Sequence, residues 1–175
     1  MRFRETPLPG SFLIELEPHH DERGFFARTF CEREFRDHGL DPCVAQCNVS
    51  YNHRRGTLRG MHLQLPPHEE DRLVRCTAGS IYDVIVDVRD GSPTRGRWFA
   101  ATLSAAERIQ LYVPRGFVHG FLTLEEDVEV SYQMSAPYAA GSAAGYRYDD
   151  PTLAIEWPFP PAVISQRDLD LPWFT

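Results

Sequence analysis

The chain has 175 residues, of which 42% are hydrophobic, 12% aromatic and 25% charged, so it is long enough to bury a core as one folded unit over 1–175. Its formal net charge of -7 argues against a nucleic-acid partner, because phosphate binding rests on lysine and arginine, yet leaves room for a small anion held by a few convergent arginines. No apolar run approaches the ~20 residues that span a bilayer. "MRFRETPLPGSF" has neither a long apolar stretch nor a small-residue cleavage site, and Cys31, Cys43, Cys47 and Cys76 contain no C-x-x-C pair; a cytoplasmic protein with reduced thiols, away from the membrane, is expected.

In chain order, short β-like runs recur: "SFLIELE" (11–17), "GFFARTF" (24–30), "AQCNVSY" (45–51), "TLRGMHLQ" (57–64), "RLVRCTA" (72–78), "SIYDVIVDV" (80–88), "RWFAATL" (97–103), "RIQLYVP" (108–114), "GFLTL" (120–124) and "DVEVSYQM" (127–134). Gly- and Pro-rich turns such as "RRG", "PPHEED" and "RDGSPTRG" separate them, which predicts an all-β sandwich or barrel. Two segments differ. "CEREFRDHG" spaces Cys31, Phe35 and His38 as one face of a short helix over 31–38, ended by Gly39. The Pro-rich, aromatic tail from Asp149 to Thr175 is expected to wrap the surface and pack through Trp157 and Phe159.

Strict alternation within "RGMHLQ" puts Arg59 and Met61 on one face and Gly60, His62 and Gln64 on the other. In "SIYDVIVDV" the same rule groups Asp83, Ile85 and Asp87 opposite Tyr82, Val84 and Val86. Two carboxylates on one face of so apolar a strand suggest a polar interior, although Asp87 taken alone reads as solvated.

Two histidine segments carry chemistry. Gly56-x5-His62-x-Gln64 and Pro114-x-Gly116-x-x-His119 have the spacing of the paired cupin motifs, and the histidines lie 57 positions apart. The chain thus resembles a cupin, a jelly roll of the double-stranded β-helix type with a site in its mouth. Cupins usually hold a metal through histidines and a glutamate. Here Gln64 stands where a second histidine belongs, and Glu69 and Glu70 sit in a loop that reads as solvated, so no metal is expected. His62 then suits proton transfer, since a free imidazole titrates near neutrality; a core histidine that merely hydrogen-bonds is the plainer alternative.

The resemblance narrows over ordered blocks that cover nearly the whole chain: "DERGFFARTF", "QCNVSYNHRRGTLRGMHLQLPP", "RLVRCTAGSIYDVIVDVRDGSPTRGRW", "YVPRGFVHGFLTL", "EVSYQMSAPYA" and "DDPTLAIEWP…ISQRD". Together they resemble the dTDP-4-dehydrorhamnose 3,5-epimerase family. A related group of cupin sugar-nucleotide ketoisomerases carries a second histidine where this chain has Gln64. The resemblance implies a cofactor-independent isomerase of deoxysugar biosynthesis. Such an enzyme removes a proton alpha to the ketone of a nucleotide-diphosphate 4-keto-6-deoxyhexose, at C3, C5 or both. It implies His62 as base, Asp168 as the carboxylate that orients it, Tyr132 as acid and Arg72 at the enolate oxygen. It implies Arg23, Arg59, Gln46, Asn48, His119, Tyr138, Phe26 and Arg28 around the substrate, with Asp83 a partner for His119. It further implies a homodimer that exchanges N-terminal strands, so that part of each pocket comes from the neighbour.

Three residues depart from the family's pattern. Arg72 stands where a lysine is usual, Arg28 where a glutamate is usual, and Ala143 where a second glutamate is usual. Arginine can only donate hydrogen bonds, so Arg28 near the base raises the expectation of weakened thymidine preference and of a CDP-linked sugar. Alternatives left open by the residues are a C3-only epimerase and a metal-dependent cupin oxygenase or isomerase. In the plainest structural terms, Tyr132 reads as a core residue and Asp168 as a surface cap.

Overall fold

A computed structural model describes residues 1–175. The strands are β1 (Arg2–Glu5), β2 (Phe12–Glu15), β3 (His19–Asp21), β4 (Gly24–Phe26), β5 (Gln46–Asn52), β6 (Leu58–Gln64), β7 (Arg72–Ala78), β8 (Ser80–Asp87), β9 (Trp98–Ser104), β10 (Gln110–Val113), β11 (Phe117–Thr123), β12 (Val128–Met134) and β13 (Ala143–Gly145). Helix α1 (Glu32–Asp37) follows β4, and the single turn α2 (Gln166–Leu169) lies in the tail. The strands form a six-stranded sheet in the order β1-β2-β10-β7-β12-β5, a five-stranded sheet in the order β13-β6-β11-β8-β9, and the separate hairpin β3-β4. All strand pairs within them are antiparallel. This is the jelly-roll layout of a cupin barrel. No helix is long and apolar enough to cross a membrane.

Apolar side chains sort into three packed layers. Between the sheets, Val74, Ile81, Ile85, Leu111, Phe121 and Val130 belong to the main core. Outside the five-stranded sheet, Met61, Leu63, Val84, Val86 and Val118 pack under Leu153 and Phe174 of the tail, with Trp157 against them. Outside the six-stranded sheet, Phe35 of α1 and Leu40 cover Phe12, Ile14, Leu73 and Tyr112. Strands clothed on both faces have no wet side, so β8 is buried at almost every position instead of alternating.

Several expectations need correction. "GFFARTF" gives only the three-residue β4 before the chain leaves the hairpin. Asp87 is not solvated: it is fully buried, accepting from Arg89 Nε (2.9 Å), Ser92 Oγ (2.6 Å) and Thr94 Oγ1 (2.6 Å) to anchor the 88–96 loop. Burial opposes its charge, but these donors hold its carboxyl down at about 2. Glu70 is also buried, at 5% exposure. The helix lies where the spacing places it, with Cys31 as N-cap and Gly39 following at a φ of 71°.

The alternation predicted for β6 fails at one point, and that failure shapes the cleft. His62 pairs with His119 and Arg59 with Phe121, so three steps along β6 match two along β11. The extra residue is a bulge, and it returns Arg59 to the same face as His62 while Met61 turns outward. Gly60 has a φ of 143°, and a Cβ there would lie 2.6 Å from the Gly120 Cα. Only glycine fits. Gly60→Ala is expected to cost about 2–3 kcal/mol of folding stability from backbone strain and overpacking. Urea unfolding checks this; a loss below ~0.5 kcal/mol would mean that the two strands part freely.

Candidate active site

A cavity of about 600 Å³ lies between the sheets, and one of about 370 Å³ adjoins it. Asn48, His62, Arg72, Met134 and Arg167 line both, so the two are lobes of one cleft. Polar side chains enter from both sheets. β6 supplies Arg59 and His62, and β11 supplies His119. β5 supplies Gln46, Asn48 and Ser50, β7 supplies Arg72 and β12 supplies Tyr132.

The tail delivers Asp168. Leu58 N donates to the Val163 carbonyl (2.8 Å), and Ala162 N to the Gly56 carbonyl (2.8 Å), strapping the tail along the start of β6. Ser165 caps α2 by accepting from the Asp168 N–H (3.1 Å). Asp168 Oδ1 then accepts from His62 Nε2 (2.8 Å), and Oδ2 from the Gly60 N–H (3.3 Å), an amide in the bulge. His62 Nδ1 makes no hydrogen bond within the chain, so it is the ring nitrogen left for chemistry. Burial works against the Asp168 charge, yet the His62 ring and the Gly60 N–H hold its carboxyl below the ordinary range.

Tyr132 is half-buried, and burial raises its phenol well above the usual value, keeping the proton on. Its hydroxyl lies 3.4 Å from Ser50 Oγ, and its ring meets His119 edge to face at 6.3 Å. His119 is buried and bonded through Nε2 to Asp83 Oδ1 (2.7 Å). Gln64 is a brace: its Nε2 donates to the His68 and Pro137 carbonyls, and its Oε1 accepts from Ala139 N. Gln64, at the position of a second motif histidine, is thus engaged with the backbone, and no three His, Cys, Asp or Glu side chains converge.

Arg59 and Arg167 carry no acidic partner. Arg59 Nε donates to Asn52 Oδ1 (2.7 Å), while Arg167 makes no side-chain hydrogen bond. Two unneutralised guanidinium groups suit a bound anion. Sequence reasoning missed Arg167, Ser50 and Glu70; the signal for Arg167 was its place beside Asp168 in "SQRD". Tyr138 and Ala143 line the smaller lobe, with Tyr138 N donating to Gln46 Oε1 (2.8 Å).

Three expected site residues lie elsewhere within this chain. Arg23 pairs with its neighbour Asp21, Phe26 is 76% exposed on the β3-β4 hairpin, and Arg28 Nη1 donates to Glu34 Oε1 (2.9 Å). Within this chain Arg28 is thus held at α1 by Glu34, away from the cleft.

Linkage makes the Asp168 contact measurable. Its folded-state pKa is depressed, so the stability it adds is present above the unfolded value, ~3.9, and is lost as pH falls through the lower folded value. The stability gap between wild type and Asp168→Asn is expected to be full at pH 6 and to close toward pH 2. Thermal unfolding across that range checks it, and a pH-independent gap would contradict it.

The family model for dTDP-4-dehydrorhamnose 3,5-epimerase matches residues 5–175. The chain is 43% identical over 173 residues to a dTDP-4-dehydrorhamnose 3,5-epimerase of Sinorhizobium fredii, covering 98% of this chain and 89% of that protein. It superposes on the crystal structure of the Elizabethkingia anophelis dTDP-4-dehydrorhamnose 3,5-epimerase with a TM-score of 0.96 and 38% identity, covering 99% of this chain and 96% of that one. The Bacillus anthracis enzyme, crystallised with TDP and PPi bound, gives a TM-score of 0.95 and 38% identity, covering 99% of both chains. With the fold, the cleft and these matches in agreement, the chain belongs to the dTDP-4-dehydrorhamnose 3,5-epimerase family.

Proposed function

We propose that the chain epimerises the carbons alpha to the ketone, C3 and C5, of a dTDP-linked 4-keto-6-deoxyhexose, as a step of rhamnose-type deoxysugar biosynthesis. The carrying observation is that the His62–Asp168 pair and Tyr132 reach one cavity from facing sheets. His62, through Nδ1, takes the proton from the carbon beside the ketone. The C–H electrons form the enolate, and its oxygen gains negative charge. Arg72 donates a hydrogen bond to that oxygen. Tyr132, protonated at neutral pH, returns a proton to the other face of the carbon, inverting it. Solvent then takes the proton from His62 and reprotonates Tyr132. Arg59 and Arg167 hold the diphosphate, with Gln46, Asn48 and His119 around the sugar and Tyr138 toward the base. Support for the dTDP carrier is the TDP held by the Bacillus anthracis relative.

Deuterium uptake in heavy water tests this. Wild type is expected to label C3 and C5 of dTDP-4-keto-6-deoxyglucose, and His62→Ala to lower labelling by roughly 10²–10⁴-fold, the range for losing a general base. Tyr132→Phe is expected to wash label in while forming little inverted product, because His62 still acts on its own face. Labelling unchanged in His62→Ala ends the proposal.

We further propose a homodimer that exchanges N-terminal segments. Supporting it, the β3-β4 hairpin pairs with neither large sheet and exposes Phe25 and Phe26, and the edge strand β5 exposes Val49 (64%) and Tyr51 (47%). A neighbour's hairpin would bring Arg23, Phe26 and Arg28 toward the nucleotide end of the cleft. Light scattering at micromolar concentration is expected to give twice the 20.0 kDa chain mass, and Phe26→Asp to weaken nucleotide binding. A stable monomer contradicts it. A cytoplasmic setting fits the four cysteines, all of them free thiols.

A further inference from the structure

The scheme above gives no part to Glu70, a carboxylate buried in the wall of the smaller lobe. Side chains alternate as the chain enters β7. Asp71 turns away, its Oδ2 accepting from Arg115 Nε (3.0 Å). Glu70 and Arg72 turn inward together. Glu70 Oε1 accepts from both Arg72 Nε (3.0 Å) and Arg72 Nη2 (2.5 Å), while Arg72 Nη1 donates to the His62 carbonyl (3.0 Å).

A guanidinium has five N–H groups. Three are spent on these partners, which fix the plane of the group. One N–H on Nη1 and one on Nη2 remain, on a side chain that lines both lobes. Glu70 Oε2, in contrast, is buried with no hydrogen-bond partner. A buried ion pair adds little to stability beside an apolar replacement, and an unpaired buried oxygen subtracts from it. The arrangement therefore does little for folding. What it does accomplish is to immobilise a long, rotamer-rich side chain at the wall of the cleft.

We propose that Glu70 is a positioning residue of the epimerisation. It holds Arg72 so that the two unused N–H groups face the substrate's carbonyl oxygen, and it acts on the reaction only through Arg72. The inference rests on the assignment of Arg72 to the enolate oxygen. It also accounts for an arginine at this position, since a lysine ammonium has no second edge with which to grip a carboxylate and still present a fork to the ligand.

The test is a double-mutant cycle read by kcat and KM for deuterium uptake. Glu70→Ala is expected to lower kcat at least tenfold with KM changed less than threefold. Glu70→Gln, whose amide oxygen accepts from the same N–H groups, is expected to recover most of that loss. In an Arg72→Ala background the further loss from Glu70→Ala is expected to be under threefold. Glu70→Asp, which keeps the charge but draws the guanidinium back, supplies the same cycle should Glu70→Ala not fold. Wild-type kcat in Glu70→Ala, or a Glu70→Ala loss that multiplies in full with that of Arg72→Ala, overturns the proposal, and Glu70→Asp is read by the same rule where it stands in. Wild-type kcat in Arg72→Ala itself removes the enolate assignment and this proposal with it, which separates the two failures.

Discussion

The cleft depends on the approach of β6 to β11 at Gly60 and Gly120. Because neither residue carries a Cβ, one extra residue is absorbed in β6 without parting the strands. That insertion places Arg59 and His62 on one face and sends Met61 into the layer beneath the tail. It also frees the Gly60 N–H from the strand ladder, and Asp168 takes it up. The orientation of His62, the position of Arg59 and the seat of the tail thus follow from the absence of two methyl groups.

Charge in the cleft is divided by function. The chain is acidic overall, with a formal net charge of -7, so attraction for an anionic substrate must come from local geometry. Arg59 and Arg167 meet no carboxylate, so their charge in the cleft is not neutralised from within the chain. Arg72, deeper in the wall, is compensated by Glu70. His62 and His119 each lean on a carboxylate, but on different terms. Asp168 comes from a one-turn helix in the tail, whereas Asp83 comes from a central strand.

Much of this was legible from residue order alone. Spacing of glycine, proline and histidine pointed to one barrel mouth for both motifs, and in the fold His62 and His119 pair in register. Phe35 and Gly39 marked the helix because burial and a left-handed stop leave local signals. What could not be read were features set by tertiary context. A bulge shifts the face of every residue before it, so period-2 counting put Arg59 on the wrong side. Glu70 and Asp87 looked solvated because a charge in a loop normally is, and nothing local announces the arginine that will bury it. Arg167 was passed over because it stands beside the more conspicuous Asp168. Arg23 and Phe26 sit on the β3-β4 hairpin, which pairs with neither large sheet, and Arg28 follows it.

The layering also grades how firmly each half of the cleft is held. β8 and β11 are covered on both faces, so exposing their amides to exchange requires opening close to the whole fold. The tail is joined to β6 by a parallel bridge and a few amide bonds, and Leu153 and Phe174 seat it on the five-stranded sheet. Lifting it would carry Asp168 off His62 and uncover Met61 and Leu63, while His119 and Asp83 stayed in place. The carboxylate that orients His62 therefore depends on the seating of the tail as well as on the strands of the barrel.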